Sequence, residues 1–360
     1  MIKIYLRSYF TGLAILFFAL QFIIYYQSIG KVLKKSIKIY GFISSEKINL
    51  FKDSNFITIL NNTYGIDTEY FQFFLRGIDY SDINKIDYIF ASNKIFLDLY
   101  MHNDSIKYNK IEDIFYSPLV VYTRKFIIDA FVKQGFIYNY NNVNYINMEK
   151  LFEAILNDVK WADIGINELY GNIAIKFPDP RETDLGYLFA GLVANILNNG
   201  QVPDSNFIYK ASPKIKKIFN QSGFLEKTPE VLFNNLIKTD FGLNPLMIGY
   251  ENQILEFSVI NHLDWKKIKD DIVILYPVPT LIGAHSFIAL TKNGENMLNA
   301  LRSQDLQLLS WRHHGFRPVG LSGLGQLNDF DVRGLPVDIK NVITLPATKT
   351  MHTIIEITGH

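Results

Sequence analysis

Hydroxyl groups at the ends of apolar runs are the clearest chemistry that this 360-residue chain offers. Ser44 and Ser45 follow a first extended stretch that begins at Ile37, and Ser92 follows the run Ile86 to Phe90. Thr183 stands just ahead of the apolar stretch Tyr187 to Leu197, while Tyr276 and Thr280 flank a Pro-rich turn after Ile272 to Leu275. A hydroxyl both donates and accepts, and a helix start leaves backbone N–H groups free, so the set suits an oxyanion or a polyhydroxylated solute. Each hydroxyl taken singly also fits a plain helix N-cap. Asp184 opposes a dianion at that helix start, because a carboxylate there repels the ligand and competes for the amides. Arg181 offsets it, and ligand identity stays open.

Other chemistries are excluded or unsupported. The chain has no cysteine, which removes disulfides, thiolate nucleophiles, Cys-ligated metals and an acylated cysteine anchor. Neither an HExxH pattern nor a P-loop occurs, and Gly320 to Gly325 has the spacing of neither a nucleophile elbow nor a dinucleotide fingerprint. His313 and His314 are adjacent on a helical pattern, so their side chains are expected to diverge rather than hold one ion. The sequence therefore predicts no catalytic residues, no metal ligands and no cofactor. A formal net charge of +1 gives no basic face for nucleic acid. With 48% hydrophobic and 20% charged residues the chain is globular, and its length favours two domains over one.

The elements that must position these groups alternate between strand and helix. Ile37 to Gly41 reads as a first strand and Glu46 to Leu60 as a helix capped by Ser44 or Ser45. Strands are expected near 66–71, 86–90 and 118–122, and helices over 94–101, 125–134, 148–159, 187–197, 229–237 and 347–357. Phe136 to Asn147 reads as an excursion or small hairpin, and Leu255 to Val259 as a short strand. Such alternation argues for parallel βαβ units and an α/β fold, in which ligands collect beyond the carboxyl ends of strands.

Two segments carry a family resemblance. After Ile272 to Leu275 comes Tyr276-Pro277-Val278-Pro279-Thr280, then Ser286 to Leu290. A helix follows from Asn293-Gly294-Glu295 through Leu298, Leu301, Leu306 and Leu309, with its exit at Gly315-Phe316-Arg317-Pro318. Earlier, Trp161 to Gly165 precedes Asp179-Pro180-Arg181-Glu182-Thr183-Asp184-Leu185-Gly186 and an apolar helix. This order resembles bacterial extracellular solute-binding proteins with the type 2 periplasmic-binding-protein fold, which serve ABC importers. The resemblance implies an α/β fold of two lobes joined by two crossover strands, near 119–121 and 272–276. Lobe 1 would hold 31–119 plus 276–360, and lobe 2 residues 120–275. It implies a ligand-binding set of Ser44, Ser45, Ser92, Thr183, Tyr276 and Thr280, a small-molecule solute, an ABC transporter permease as partner, and no enzymatic role. A membrane-anchored sensor or interaction module on the same fold is the alternative.

The N-terminus adds localisation. Lys3 and Arg7 precede an uncharged stretch, almost wholly apolar from Leu13 to Tyr26, that reads as a membrane-directed segment. Ser28-Ile29-Gly30 offers small residues for cleavage, so residues 1–30 are a signal peptide or a retained anchor. The rest is expected on the periplasmic or extracellular face of the cytoplasmic membrane.

Overall fold

The computed structural model describes residues 36–72, 83–93, 107–223, 225–238, 245–319 and 326–358, with Ala19 and Gln21. The expected helix over 94–101, the run Gly320 to Gly325 and nearly all of the N-terminal apolar stretch lie outside the described residues. No helix among the described residues is long and apolar enough to cross a membrane.

The strands, in chain order, are β1 (Ile37–Ile43), β2 (Ile66–Gln72), β3 (Tyr88–Phe90), β4 (Lys110–Arg124), β5 (Ile137–Tyr140), β6 (Val143–Asn147), β7 (Leu246–Tyr250), β8 (Ile272–Val278), β9 (Ile282–Ala289) and β10 (Arg317–Pro318). They pair in the order β2-β1-β3-β9-β4-β8-β6-β5, with β7 and β10 also on β4. β1 lies parallel to both β2 and β3, as expected where helices make the connections. The result is a mixed α/β protein.

β4 organises the molecule by changing partners along its length. Lys110 to Pro118 pair with β9, whereas Leu119 to Thr123 pair with β7 and Val121 to Arg124 with β8. The register of β4 against β9 shifts between Asp113 and Phe115, a bulge in the first half of the strand. The short connection from β8 to β9 likewise leaves one sheet portion for the other. Ile39, Phe51, Phe90, Phe115, Phe287 and Leu306 belong to one apolar core. Val121, Phe131, Phe152, Phe189 and Ile248 belong to another.

Several local expectations change. The helix expected over Glu46 to Leu60 divides at Asp53, whose carboxylate accepts from Asn55 N and Phe56 N and restarts the helix at Ser54. Leu255 to Val259 is helical within Glu251–Ile260, not a strand, because Gln253 Oε1 accepts from Tyr250 N and caps the helix at the end of β7. The hairpin β5–β6 turns on Asn141 and Asn142, both at positive φ, a conformation that Asn tolerates. The long helix expected from Asn293 divides into Lys292–Leu301 and Gln304–His314.

The C-terminal tail also departs from the expected grouping. The helix Thr348–Thr358 packs on the helices Asp184–Leu197 and Ser205–Gln221, and its Met351 and Ile354 enter the core around Val121 and Phe189. Phe330 joins a cluster with Val120, Tyr122 and Trp265. Residues 326–358 therefore pack on the 120–275 segment through the helix Thr348–Thr358 and also touch 276–319, where Arg317 donates to Pro336 O and Val337 O.

Candidate functional site

Ser44, Ser45, Ser92 and Thr183 converge. The β1 and β3 ends place Ser44 and Ser92 side by side, with their Oγ atoms 3.1 Å apart. The helix Asp184–Leu197 then enters from the other portion of the sheet, and Ser92 N donates to Asp184 Oδ2 at 3.2 Å. Ser45 Oγ donates to Glu230 Oε1 at 3.0 Å, a second link between distant segments.

The Asp179–Gly186 loop explains how that helix start is held. Thr183 Oγ1 donates to Asp179 O at 2.9 Å and accepts from Gly186 N at 3.0 Å. Asp179 in turn accepts from Arg181 N at 2.8 Å and from its guanidinium at 2.6 Å. A Cβ on Gly186 would lie 2.3 Å from Pro178 O, so glycine is what lets the loop close on the helix. Thr183 is thus a helix cap that also lines the recess.

Tyr276 and Thr280 do not join the cluster. The Tyr276 hydroxyl donates to Glu251, which also holds Arg317 through contacts of 2.5 and 2.8 Å. Thr280 exchanges backbone hydrogen bonds with Asn341 and Ile343 in the tail. Both residues stand beside the return connection, where they fasten the fold.

Sequence reasoning missed the groups at the centre. Glu46 and Lys47, in the short turn of helix after β1, point inward, and Lys47 is fully buried. Lys47 Nζ donates to Glu46 Oε1 at 2.6 Å and Ser44 Oγ at 2.9 Å, and lies 2.9 Å from His285 Nδ1. Ser92 Oγ donates to the same Glu46 oxygen. His285 Nε2 lies 2.8 Å from Ser117 Oγ, consistent with a neutral ring that accepts from lysine and donates to serine. A basic residue following a predicted N-cap reads as solvent-facing, so no signal in the sequence separated Lys47 from the other lysines.

Electrostatics follow from this crowding. Burial alone would raise the Glu46 carboxyl, but the Lys47 charge and the His285 contacts hold it well below the usual carboxylate range. Burial pushes Lys47 down, with Glu46 opposing. Burial and then the Lys47 charge lower His285 to about 4. Burial and then the Glu46 charge raise Asp184 to about 6 and Glu230 to about 7. Glu46 and Lys47 neutralise one another, which leaves Asp184 and Glu230 as acidic groups short of a counter-charge.

Two spaces that share Ser45 and Glu46 in their walls border the cluster. A recess of about 20 Å³ is lined by Ser44, Ser45, Glu46, Thr183, Asp184 and Tyr250, with the exposed Lys227 at its rim. The Tyr250 hydroxyl is buried there with no hydrogen-bond partner among the described residues. Ser45 and Glu46 also wall a groove of about 350 Å³ that includes Asn49, Glu230, Asn252 and Glu256 and, among the described residues, no lysine or arginine. Asn252 Oδ1, buried in that wall, is a second oxygen with no hydrogen-bond partner among the described residues. Carboxylates of Glu46 and Asp184 border the recess, and those of Glu46, Glu230 and Glu256 border the groove.

No protein-family model and no curated protein matches the chain. Solved structures do match it. The apo ferric ion-binding protein A of Pasteurella haemolytica superposes with a TM-score of 0.58 at 10% identity, covering 89% of this chain and 96% of that one. A protein of Bordetella parapertussis described as an extracellular solute-binding protein gives 0.58 at 10% identity, covering 89% and 98%. Iron-bound HitA of Pseudomonas aeruginosa gives 0.53 at 10% identity, covering 90% and 100%. The partner exchange along β4 and these superpositions over nearly whole chains lead to one conclusion: the chain has the periplasmic-binding-protein fold of bacterial extracellular solute-binding proteins.

Proposed function

We propose that the protein is an extracytoplasmic solute-binding protein that closes two lobes on a small, positively charged ligand and delivers it to an ABC importer permease. The first lobe holds residues 31–119 and 276–319. The second holds 120–275, with the tail 326–358 packed on it. Residues 1–30 direct the chain across the membrane as a signal peptide or an anchor. Ser44, Ser45, Ser92 and Thr183 line the ligand site, together with Glu46, Asp184, Glu230 and Tyr250.

The observation that supports this reading most is the meeting of Ser45 with Glu230 and of Ser92 with Asp184 beside two spaces bordered by carboxylates. The proposed charge of the ligand rests on Asp184 and Glu230, which a cation would balance and an oxyanion would crowd further, Glu46 being paired with Lys47. The recess admits a bare ion and the groove an organic cation. Hard oxygen donors favour a hard metal ion, and two of the similar structures are named for ferric-ion or iron binding.

Native mass spectrometry of the protein as purified from cells tests the reading. A cationic adduct diminished by Glu230→Gln is expected. An anionic adduct, or no adduct that responds to that substitution, would contradict it.

A further inference from the structure

Away from the recess, the C-terminal turn of the helix Gln304–His314 meets the break at Asp53. Asp53 Oδ2 lies 2.9 Å from His313 Nδ1 and 3.1 Å from His314 Nε2. Adjacent histidines were expected to diverge. Here the carboxylate sits between the rings, whose centroids are 6.2 Å apart, and one oxygen reaches both. We propose that Asp53, His313 and His314 form a binding site for a divalent transition-metal ion of the zinc type.

Geometry supports three ligands on one ion. Each residue offers one ligand atom, and these atoms all lie within 4.8 Å of one another. A tetrahedral zinc site with bonds of about 2.0 Å separates its ligand atoms by roughly 3.3 Å, close to the two contacts on Asp53. The second polar atoms of Asp53 and His314 are already held. Asp53 Oδ1 caps the helix Ser54–Ile59 through Asn55 N at 2.7 Å. His314 Nδ1 lies 2.6 Å from Glu256 Oε1, and Glu256 Oε2 accepts from Asn49 at 2.7 Å. A metal-bound imidazole characteristically donates its other N–H to a carboxylate, which fixes the tautomer and aims the lone pair.

Charge provides the second, independent argument. His314 is 1% exposed in its side chain and faces a carboxylate on each nitrogen. If the ring is neutral and directs its one proton to Glu256, a cation between Nε2 and Asp53 Oδ2 would be needed to relieve the contact of the Nε2 lone pair with the carboxylate. With neutral rings the cluster carries two negative charges, and a divalent ion balances them. His313 is 39% exposed in its side chain, so water reaches a fourth position. Imidazole nitrogens select zinc-like ions over calcium and magnesium, which prefer all-oxygen sets.

The test is cobalt(II) titration of the full-length, metal-stripped protein, followed through the visible absorption of tetrahedral cobalt. One equivalent is expected to bind, to be displaced by zinc chloride and to survive excess calcium or magnesium. His313→Ala, at a partly exposed position, is expected to abolish the signal in a folded protein. Glu256→Gln is expected to weaken zinc binding by about 10–100-fold. Glu230→Gln, at a residue that lines the same groove as Glu256 but pairs with Ser45, should leave the signal intact. Absence of stoichiometric binding, or a cobalt spectrum indifferent to His313→Ala, would overturn the proposal.

Discussion

Asp184 carries two roles that its type alone does not reveal. It begins the helix after the Thr183 cap, and its carboxylate receives Ser92 N from a segment 92 residues away. Burial and the Glu46 charge raise it from 3.8 to about 6. The folded protein therefore binds more protons than the unfolded chain between about pH 4 and 6. Stability from this group is present below pH 4 and is lost as pH rises through 6. Asp184→Asn removes that loss, so its stability relative to wild type is expected to rise by about 2 kcal/mol between pH 4 and pH 8. Urea denaturation at the two pH values measures it. A constant difference would show that Asp184 is not crowded. At this scale the sequence was half legible. Ser44, Ser45, Ser92 and Thr183 were readable because strand ends and caps have local signatures. Glu46, Lys47 and His285 were not, because only tertiary packing turns them inward.

Among the elements, β1, β2, β4 and the helix over 187–197 were foreseeable from apolar periodicity, and the Asp179–Gly186 loop from its capping residues. Misreadings arose where tertiary bonds override local pattern. Leu255 to Val259 alternates like a strand, yet the Tyr122 hydroxyl accepts from Ile254 N and ties that stretch, as helix, to β4. Tyr276 and Thr280 have the right local setting for a ligand but serve the Glu251–Arg317 pair and the tail. Gly186 gives the sharpest test of an element. Gly186→Ala forces a methyl against the Pro178 carbonyl and is expected to cost more than Thr183→Ala, which removes a cap worth about 1 kcal/mol. Thermal unfolding of the two variants gives the order. Equal stability of Gly186→Ala and wild type would mean that the loop does not close as described.

Across the whole molecule, the resemblance to solute-binding proteins anticipated the fold, whereas the packing of residues 326–358 on the far segment was not legible. A tail's partner depends on which apolar surface the rest of the chain leaves uncovered. The central claim is that the space between the segments takes a cation. Thermal-shift titration of the full-length protein tests this with ferric ion, spermidine, choline and arginine against phosphate, sulfate and glucose. A cation is expected to stabilise the protein by about 2.7 kcal/mol at a hundredfold excess over its dissociation constant. The effect should shrink in Glu230→Gln and persist in His313→Ala. Stabilisation by phosphate or sulfate alone, or by a cation whose effect ignores Glu230→Gln, would contradict the account.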